Sequence, residues 1–239
     1  MTKPVDWSAY AVAYDAMAVN NPAYQEIVAA CLEAVSAWKL PNGTRLVDLG
    51  AGTGNISVLL AQRLPQCEIV HVDANEAMNR AAAEKAARIG LTNHRILRQN
   101  AEEADFPSES IQAIVTVHAL YAFKDPGEII RKMARWLTPG GHVFACDIGR
   151  RMNVFDWTLY LWLGTARRKG LLKTLQLTDS ARQLFLQNWR AERTQGKGYY
   201  WRHETDEFTS CFERAGIKVD TASRCYRGFS DLVLGHKPL

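Results

Sequence analysis

In Leu46-Val47-Asp48-Leu49-Gly50-Ala51-Gly52-Thr53-Gly54 a short apolar run encloses an acid and is followed by a glycine at every second position. The pattern predicts a strand that runs into a tight turn and opens a helix. Without Cβ atoms the glycines let the chain turn sharply and let a ligand lie against bare backbone. The helix is expected to begin near Asn55, so its free N–H groups face the turn and favour a negative group there. A dinucleotide fingerprint requires G-x-G-x-x-G. Here the third glycine comes one residue early, and Asp48 stands just before the turn. That combination suits a ligand carrying both an ammonium and a carboxylate better than it suits a pyrophosphate.

The chain has 239 residues, the size of one large α/β domain, and its hydrophobic content of 47% is ordinary for a globular protein. No apolar run approaches the roughly 20 residues needed to cross a bilayer, and the first residues lack the apolar core of a signal peptide. Cys31, Cys67, Cys146, Cys211 and Cys225 are scattered without a C-x-x-C pair. They fit reduced thiols in a cytoplasmic protein rather than a disulfide frame or a metal site. A net charge of +4 is mild, so no nucleic-acid partner and no membrane are expected.

The remaining elements follow from periodicity. Trp7, Tyr10, Tyr14 and Met17 recur at helical spacing, and Pro22 to Trp38 reads as an amphipathic helix broken by Pro41-Asn42-Gly43. Arg45–Leu49 is the first strand, Asn55–Leu64 a helix, and Glu68–Asp73 a second strand ending in an acid. A carboxylate there can accept both ribose hydroxyls of a nucleoside; the alternative is a helix N-cap, since a helix starts at once after it. Ala74 and Met78 could line a base, and Met78 could equally be plain core. A short third strand, Arg95–Arg98, leads to Gln99-Asn100-Ala101-Glu102. The fourth, Ile111–Val117, reads as covered on both faces and ends at His118-Ala119-Leu120-Tyr121. Ligands of open parallel sheets bind at such carboxyl ends, so His118 and Tyr121 are site candidates. His118 is either structural, pocket-forming or a proton acceptor. A helix from Asp125-Pro126, the turn Pro139-Gly140-Gly141 and a fifth strand, His142–Asp147, follow.

Asp48-Leu49-Gly50-Ala51-Gly52-Thr53-Gly54 resembles the first motif of class I S-adenosylmethionine-dependent methyltransferases. Leu137-Thr138-Pro139-Gly140-Gly141 resembles the same family further on, and the match runs in order over about residues 45–147. The resemblance implies a Rossmann-like, seven-stranded, mostly parallel sheet with helices on both faces. Residues 205–239 would supply a helix and the antiparallel final strand pair. It implies S-adenosylmethionine as cofactor and S-adenosylhomocysteine as product. The implied cofactor residues are Asp48, Gly50, Ala51, Gly52, Gly54, Asp73, Ala74, Met78, Asn100, Ala101, Glu102 and His118. Asn100 stands where the family often has an acid for the adenine amino group; its amide oxygen can still accept that bond. Residues 1–40 become lid helices, with Tyr14 facing the cofactor and Tyr10 the acceptor, unless the same apolar stripe is plain core. No Asn-Pro-Pro-Tyr-like string follows the fourth strand, unlike amino-methylating enzymes acting on bases.

Residues 150–204 interrupt the family pattern. Asn153–Leu172 and Leu177–Arg193 read as helices rich in aromatics and arginines. They form either a substrate cap or a helical pair on the sheet edge. As a cap, Trp157, Tyr160 and Tyr200 would hold a ring or a cation and Arg150 a carboxylate.

The expected protein is therefore a single-domain methyltransferase, monomer or homodimer, acting on a small-molecule O, N or C nucleophile. His118, Tyr121 or Asp147 would assist if the acceptor must lose a proton. Intramolecular alkylation at the cofactor's expense, a nucleic-acid or protein acceptor, and a non-catalytic binding partner are the alternatives.

Overall fold

The computed structural model describes residues 7–151, 153–169 and 200–239. Two helices open the chain, α1 Trp7–Asn20 and α2 Pro22–Ala37. The alternating core follows: β1 Arg45–Leu49, α3 Ser57–Arg63, β2 Glu68–Asp73, α4 Glu76–Arg88, β3 His94–Arg98, β4 Ile111–Val117, α5 Pro126–Trp136 and β5 Leu137–Ile148. Then come α6 Val154–Lys169, α7 Thr205–Arg214, β6 Lys218–Cys225 and β7 Ser230–His236.

Seven strands form one sheet in the order β3-β2-β1-β4-β5-β7-β6. β1 through β5 are parallel, and β7 pairs antiparallel with both β5 and β6. The final strands β6 and β7 form the expected antiparallel pair, with β7 running against both its neighbours. The strand order reverses between β1 and β4, so the chain segments leaving those two strands flank the switch point of the sheet.

Side chains alternate between two apolar layers, as a strand's period of two requires. Leu46, Ile69, Ala113, Val115, Phe144 and Cys146 pack toward α2 and α3. Val47, Val70, Ile114, Val143 and Ala145 pack toward α5 and α7, where Ile129, Met133, Phe208 and Phe212 meet them. Local chemistry sets the helix starts. Asn21 accepts the Tyr24 N–H ahead of Pro22, Asn75 accepts the Met78 N–H, and Asp125 accepts the Glu128 N–H ahead of Pro126.

Three boundaries differ from expectation. α3 begins at Ser57 rather than Asn55, because residues 51–54 are closed by a Gly54 N–H to Ala51 carbonyl bond. β5 begins at Leu137 and takes in Pro139-Gly140-Gly141, with a register shift opposite Ile111 to Ala113. α6 is described as far as Lys169, and the helix expected over 177–193 lies outside the described residues.

The motif's glycines have separate jobs, although all three have positive φ (74°, 56° and 78°). A Cβ on Gly50 would overlap Ala119, and one on Gly54 would come within 2.9 Å of the Ala82 Cβ. A Cβ on Gly52 would meet nothing within 4 Å. Gly50→Ala and Gly54→Ala should therefore lower the melting temperature sharply. Gly52→Ala should cost only about 1–2 kcal/mol of left-handed backbone strain while weakening cofactor binding. Parallel melting and calorimetry would check this; equal melting losses for all three would refute the division.

Candidate functional site

The switch point is built from the turn after β1. Gly50 and Ala51 donate their N–H groups to the Val72 carbonyl, which holds the turn against β2. Asp73, at the end of β2, accepts the Gly52 N–H at 2.9 Å on one oxygen and the Asn75 N–H at 2.8 Å on the other. It is Asn75, not Asp73, that caps α4. Each Asp73 oxygen keeps a free lone pair, because an ionised carboxylate offers about four acceptor positions. Asp48 is 2% exposed, and its Oδ2 has no hydrogen-bond partner. Burial pushes its pKa up to about 8, against the lowering effect of the Ser57 N–H.

α1 lies across α4 and this turn. Ala11 and Met78 are buried together, with Trp7, Tyr14 and Ala77 around them. The Asn75 amide donates to Ser8 Oγ at 3.0 Å. Lys85 Nζ reaches Asp15 at 2.7 Å, the Thr53 carbonyl at 2.9 Å and Asn55 Oδ1 at 2.7 Å, and the Thr53 hydroxyl also bonds Asp15. One lysine thus fastens α1 and α4 to the glycine turn. Tyr14 sits edge-on to Tyr24 with centroids 6.2 Å apart, and burial pushes its pKa up to about 12. Tyr10 lies on α1, but its side chain is outside the described residues.

Beyond β3, Asn100 Oδ1 accepts the Glu102 N–H at 3.2 Å, leaving one lone pair for another donor. Glu102 is engaged in holding the loop before α5, since its carboxylate accepts the Lys124 N–H at 2.8 Å. Ala101 is buried, and Ala74 is exposed at the rim.

His118 leaves β4 with φ 52°, a left-handed conformation that non-glycine residues adopt at a cost. Its N–H donates to the Cys146 carbonyl at 2.7 Å. The ring sits among Tyr24 (6.1 Å between centroids), Tyr226 (4.7 Å) and the Ser230 hydroxyl, which is 2.9 Å from Nε2. Burial alone drives its pKa down to about 3, so the ring is neutral near pH 7. Trp157 stacks on Tyr226 at 4.5 Å and meets Tyr160 edge-on at 5.6 Å, while Arg227 lies over both rings. Tyr226 and Arg227 also have positive φ, so left-handed non-glycine residues concentrate around this one cluster.

The sheet separates the expected proton acceptors. His118 lies on the α2 side with Tyr24, Cys146 and Tyr226. Asp147 follows Ala145 onto the opposite face, opposite Asp231 of β7. There both carboxylates are fully buried, and His203 stands between them, 3.7 Å from Asp147 and 3.1 Å from Asp231. Neither contact has hydrogen-bond geometry among the described residues. Burial acts to lower the His203 pKa, but the two carboxylates outweigh it and the net shift is upward. Burial likewise pushes Asp147 up to about 6. Tyr121 and Tyr200 pack together on the segment that this cluster anchors, with rings 5.3 Å apart.

Arg150 requires a correction. The expectation was a guanidinium facing a substrate carboxylate, but it is taken up internally by Asp231 at 3.0 and 3.1 Å and by Glu204 at 2.9 Å. Asp147 is likewise corrected: in the cluster with His203 it lies across the sheet from His118. Sequence reading missed Tyr24, Lys85, His203, Tyr226 and Ser230, which come to the site from elements far apart in the chain.

The residues present fit S-adenosylmethionine: a buried carboxylate oxygen without a partner, a glycine facing open space and an acid with free lone pairs at the end of β2. Fold and turn together define the class I methyltransferase architecture. A family profile described as a methyltransferase domain matches residues 22–222, and the chain belongs to that family. It is a class I S-adenosylmethionine-dependent methyltransferase. A demethylmenaquinone methyltransferase of Listeria monocytogenes is 28% identical over 126 residues, 52% of this chain and 53% of that protein. The chain thus spans about half the length of that relative. A ubiquinone/menaquinone biosynthesis C-methyltransferase of Photorhabdus laumondii is 25% identical over 206 residues, 85% of this chain and 78% of that one. The crystal structure of a SAM-dependent methyltransferase from Aquifex aeolicus superposes with a TM-score of 0.61 at 16% identity, covering 93% of this chain and 97% of that one.

The Asp231 cluster makes a stability prediction. Burial acts to raise the Asp231 pKa, but contacts from His203, Thr205 and Arg150 outweigh it and hold it low. Its stabilising contribution is complete above the unfolded value near pH 4 and is lost as pH falls through the folded value. Asp231→Asn should cost about 3–5 kcal/mol near neutral pH, since Arg150 and His203 lose a buried partner. The variant's stability should also fall less steeply in acid than the wild type's. Denaturant melts across pH would check both; a variant as acid-sensitive as the parent would refute the assignment.

Proposed function

We propose that the chain transfers the cofactor's methyl group to a small-molecule acceptor held at the ends of β4 and β5, on the α2 face. The observation that carries this is the placement of His118. Its neighbour Ala119 packs against Gly50 of the cofactor turn, and its ring lies against Tyr24 and Tyr226, on which Trp157 stacks. A site roofed by aromatic side chains suits a small planar or apolar acceptor. The relatives named for quinone methylation support a ring-bearing acceptor.

When bound, the cofactor supplies an electrophilic methyl group on a sulfonium; the chain supplies alignment and a dry setting. In this reading Asp73 accepts from the ribose hydroxyls while keeping its bonds to Gly52 and Asn75. Asn100 receives the adenine amino group on its remaining lone pair. Asp48 faces the amino-acid ammonium. α1 acts as the lid, latched through Asp15 and Lys85, and residues 150–204 as the acceptor cap, anchored where Trp157 stacks on Tyr226. Methyl transfer is tested directly by incubating the protein with labelled cofactor and a host small-molecule extract. A labelled product identified by mass supports the reading; cofactor binding with label only in macromolecules overturns it.

Two variants test the cofactor roles. Asp73→Ala should weaken binding by about 1–3 kcal/mol, because a charged acceptor is lost. Calorimetric affinity unchanged from wild type would reduce Asp73 to a turn clamp. Asp48 gives a pH dependence. An ammonium favours the ionised carboxylate, whose pKa without ligand is about 8. Binding should therefore release a proton and tighten as pH rises toward 8. Asp48→Asn should abolish that slope; an identical slope in the variant would remove Asp48 from the site.

A further inference from the structure

β7 delivers consecutive residues to opposite faces: Asp231 to the ionic cluster and Ser230 to His118. Ser230 is fully buried. Its Oγ lies 2.9 Å from His118 Nε2, which is its one hydrogen-bond partner among the described residues. A buried hydroxyl proton left without an acceptor costs free energy, so it must be donated, and Nε2 is the acceptor in reach. Cys146 Sγ lies 4.0 Å from the same nitrogen but 3.3 Å from Cys225 Sγ, so the thiol has a nearer partner than the ring. Burial pushes that thiol's pKa up, so it keeps its proton. Nε2 therefore accepts the Ser230 proton, and a neutral imidazole with a bare Nε2 carries its own proton on Nδ1.

We propose that Ser230 is a positioning residue that fixes His118 as a neutral Nδ1–H donor, and that this donor selects acceptors bearing an aryl or enol-type oxygen. Resting on the acceptor site proposed above, this narrows its chemistry. With Nε2 covered by Ser230 and Nδ1 already protonated, neither ring nitrogen takes a proton from the acceptor. His118 orients an oxygen lone pair instead, whether carbonyl, phenolate or enolate. A protonated amine finds no acceptor there. Among the described residues the groups packed on the ring are Tyr24 from α2, Cys146 from β5, Ser230 from β7 and Tyr226 from the turn before β7, and none of these four carries an ionic side chain.

Imidazole ¹⁵N–¹H correlation spectra of the full chain test this without an acceptor. In wild type the His118 signals should show a protonated Nδ1 and a bare Nε2, unchanged from roughly pH 5 to 8. Ser230→Ala should lose that tautomer, whereas Ser230→Thr, which keeps the hydroxyl, should retain it. If Ser230→Ala fails to fold, wild type and Ser230→Thr still decide. An Nε2–H tautomer in wild type, or an imidazolium titrating in that range, overturns the proposal. As a probe of the oxygen preference, 2-naphthol should shift the Nδ1–H resonance and naphthalene should not. No shift with 2-naphthol, or equal shifts with both, overturns the selectivity. Calorimetry with S-adenosylmethionine separates the two readings: absent cofactor binding defeats the methyl-transfer function, whereas binding together with an Nε2–H tautomer defeats only the role of Ser230.

Discussion

Both oxygens of one carboxylate hold the two turns of this site together. Asp73 takes the Gly52 N–H on one side and the Asn75 N–H on the other, binding the turn after β1 to the start of α4. Gly52 has to present its N–H sideways to reach it, which fixes the left-handed backbone there. With the turn so held, Gly50 can approach Ala119 and Gly54 can approach Ala82 without clash. The glycines at 50 and 54 make the packing possible, and the carboxylate at 73 chooses among the conformations they allow. Lys85 extends the same clamp outward to Asp15, so α1 is fastened to the turn rather than merely resting on it.

The sheet then divides the chemistry. Alternation along β5 and β7 places Cys146 and Ser230 on one face and Asp147 and Asp231 on the other. One face thereby receives an ionic network of Asp147, His203, Asp231 and Arg150. The other receives a neutral cluster of His118, Tyr24, Tyr226 and Trp157. A single layer of backbone separates the ionic network from the ring cluster, where the one charge over the rings is Arg227, among the described residues. The ionic network has its own mechanical task, because His203 and Glu204 lie just before α7 and tie the chain's return from the insertion to the sheet.

Legibility followed the distance over which each constraint acts. The glycine turn, Asp73 and the strand–helix alternation were legible because each depends on neighbours within one βα unit. Asp73 was read as either a ribose ligand or the N-cap of the next helix, and the hydrogen bonds show that Asn75 caps α4 instead. Arg150 was misread because its partner, Asp231, lies on a strand far along the chain, and an unpaired arginine in a sequence looks available. Asp147 was grouped with His118 because both close strands, whereas the parity of β5 sends its side chain to the other face. Ser230 and Tyr226 gave no signal. They matter only because an antiparallel β7 returns them to the end of β4.

Burial acts on the titratable groups of the α2 face in one direction. It pushes Asp48 up to about 8 and His118 down to about 3, and it pushes Tyr14 up to about 12. Each of these groups is held toward its uncharged form. A cationic ligand would find Asp48 able to ionise in response, and the low dielectric would strengthen that single pairing. When methyl transfer discharges a sulfonium, the favourable surroundings are those that stabilise the dispersed charge of the transition state without tightly solvating the separated ions. The rings of His118, Tyr24 and Tyr226 on the α2 face are of that uncharged kind, whereas the ionic cluster across the sheet is not.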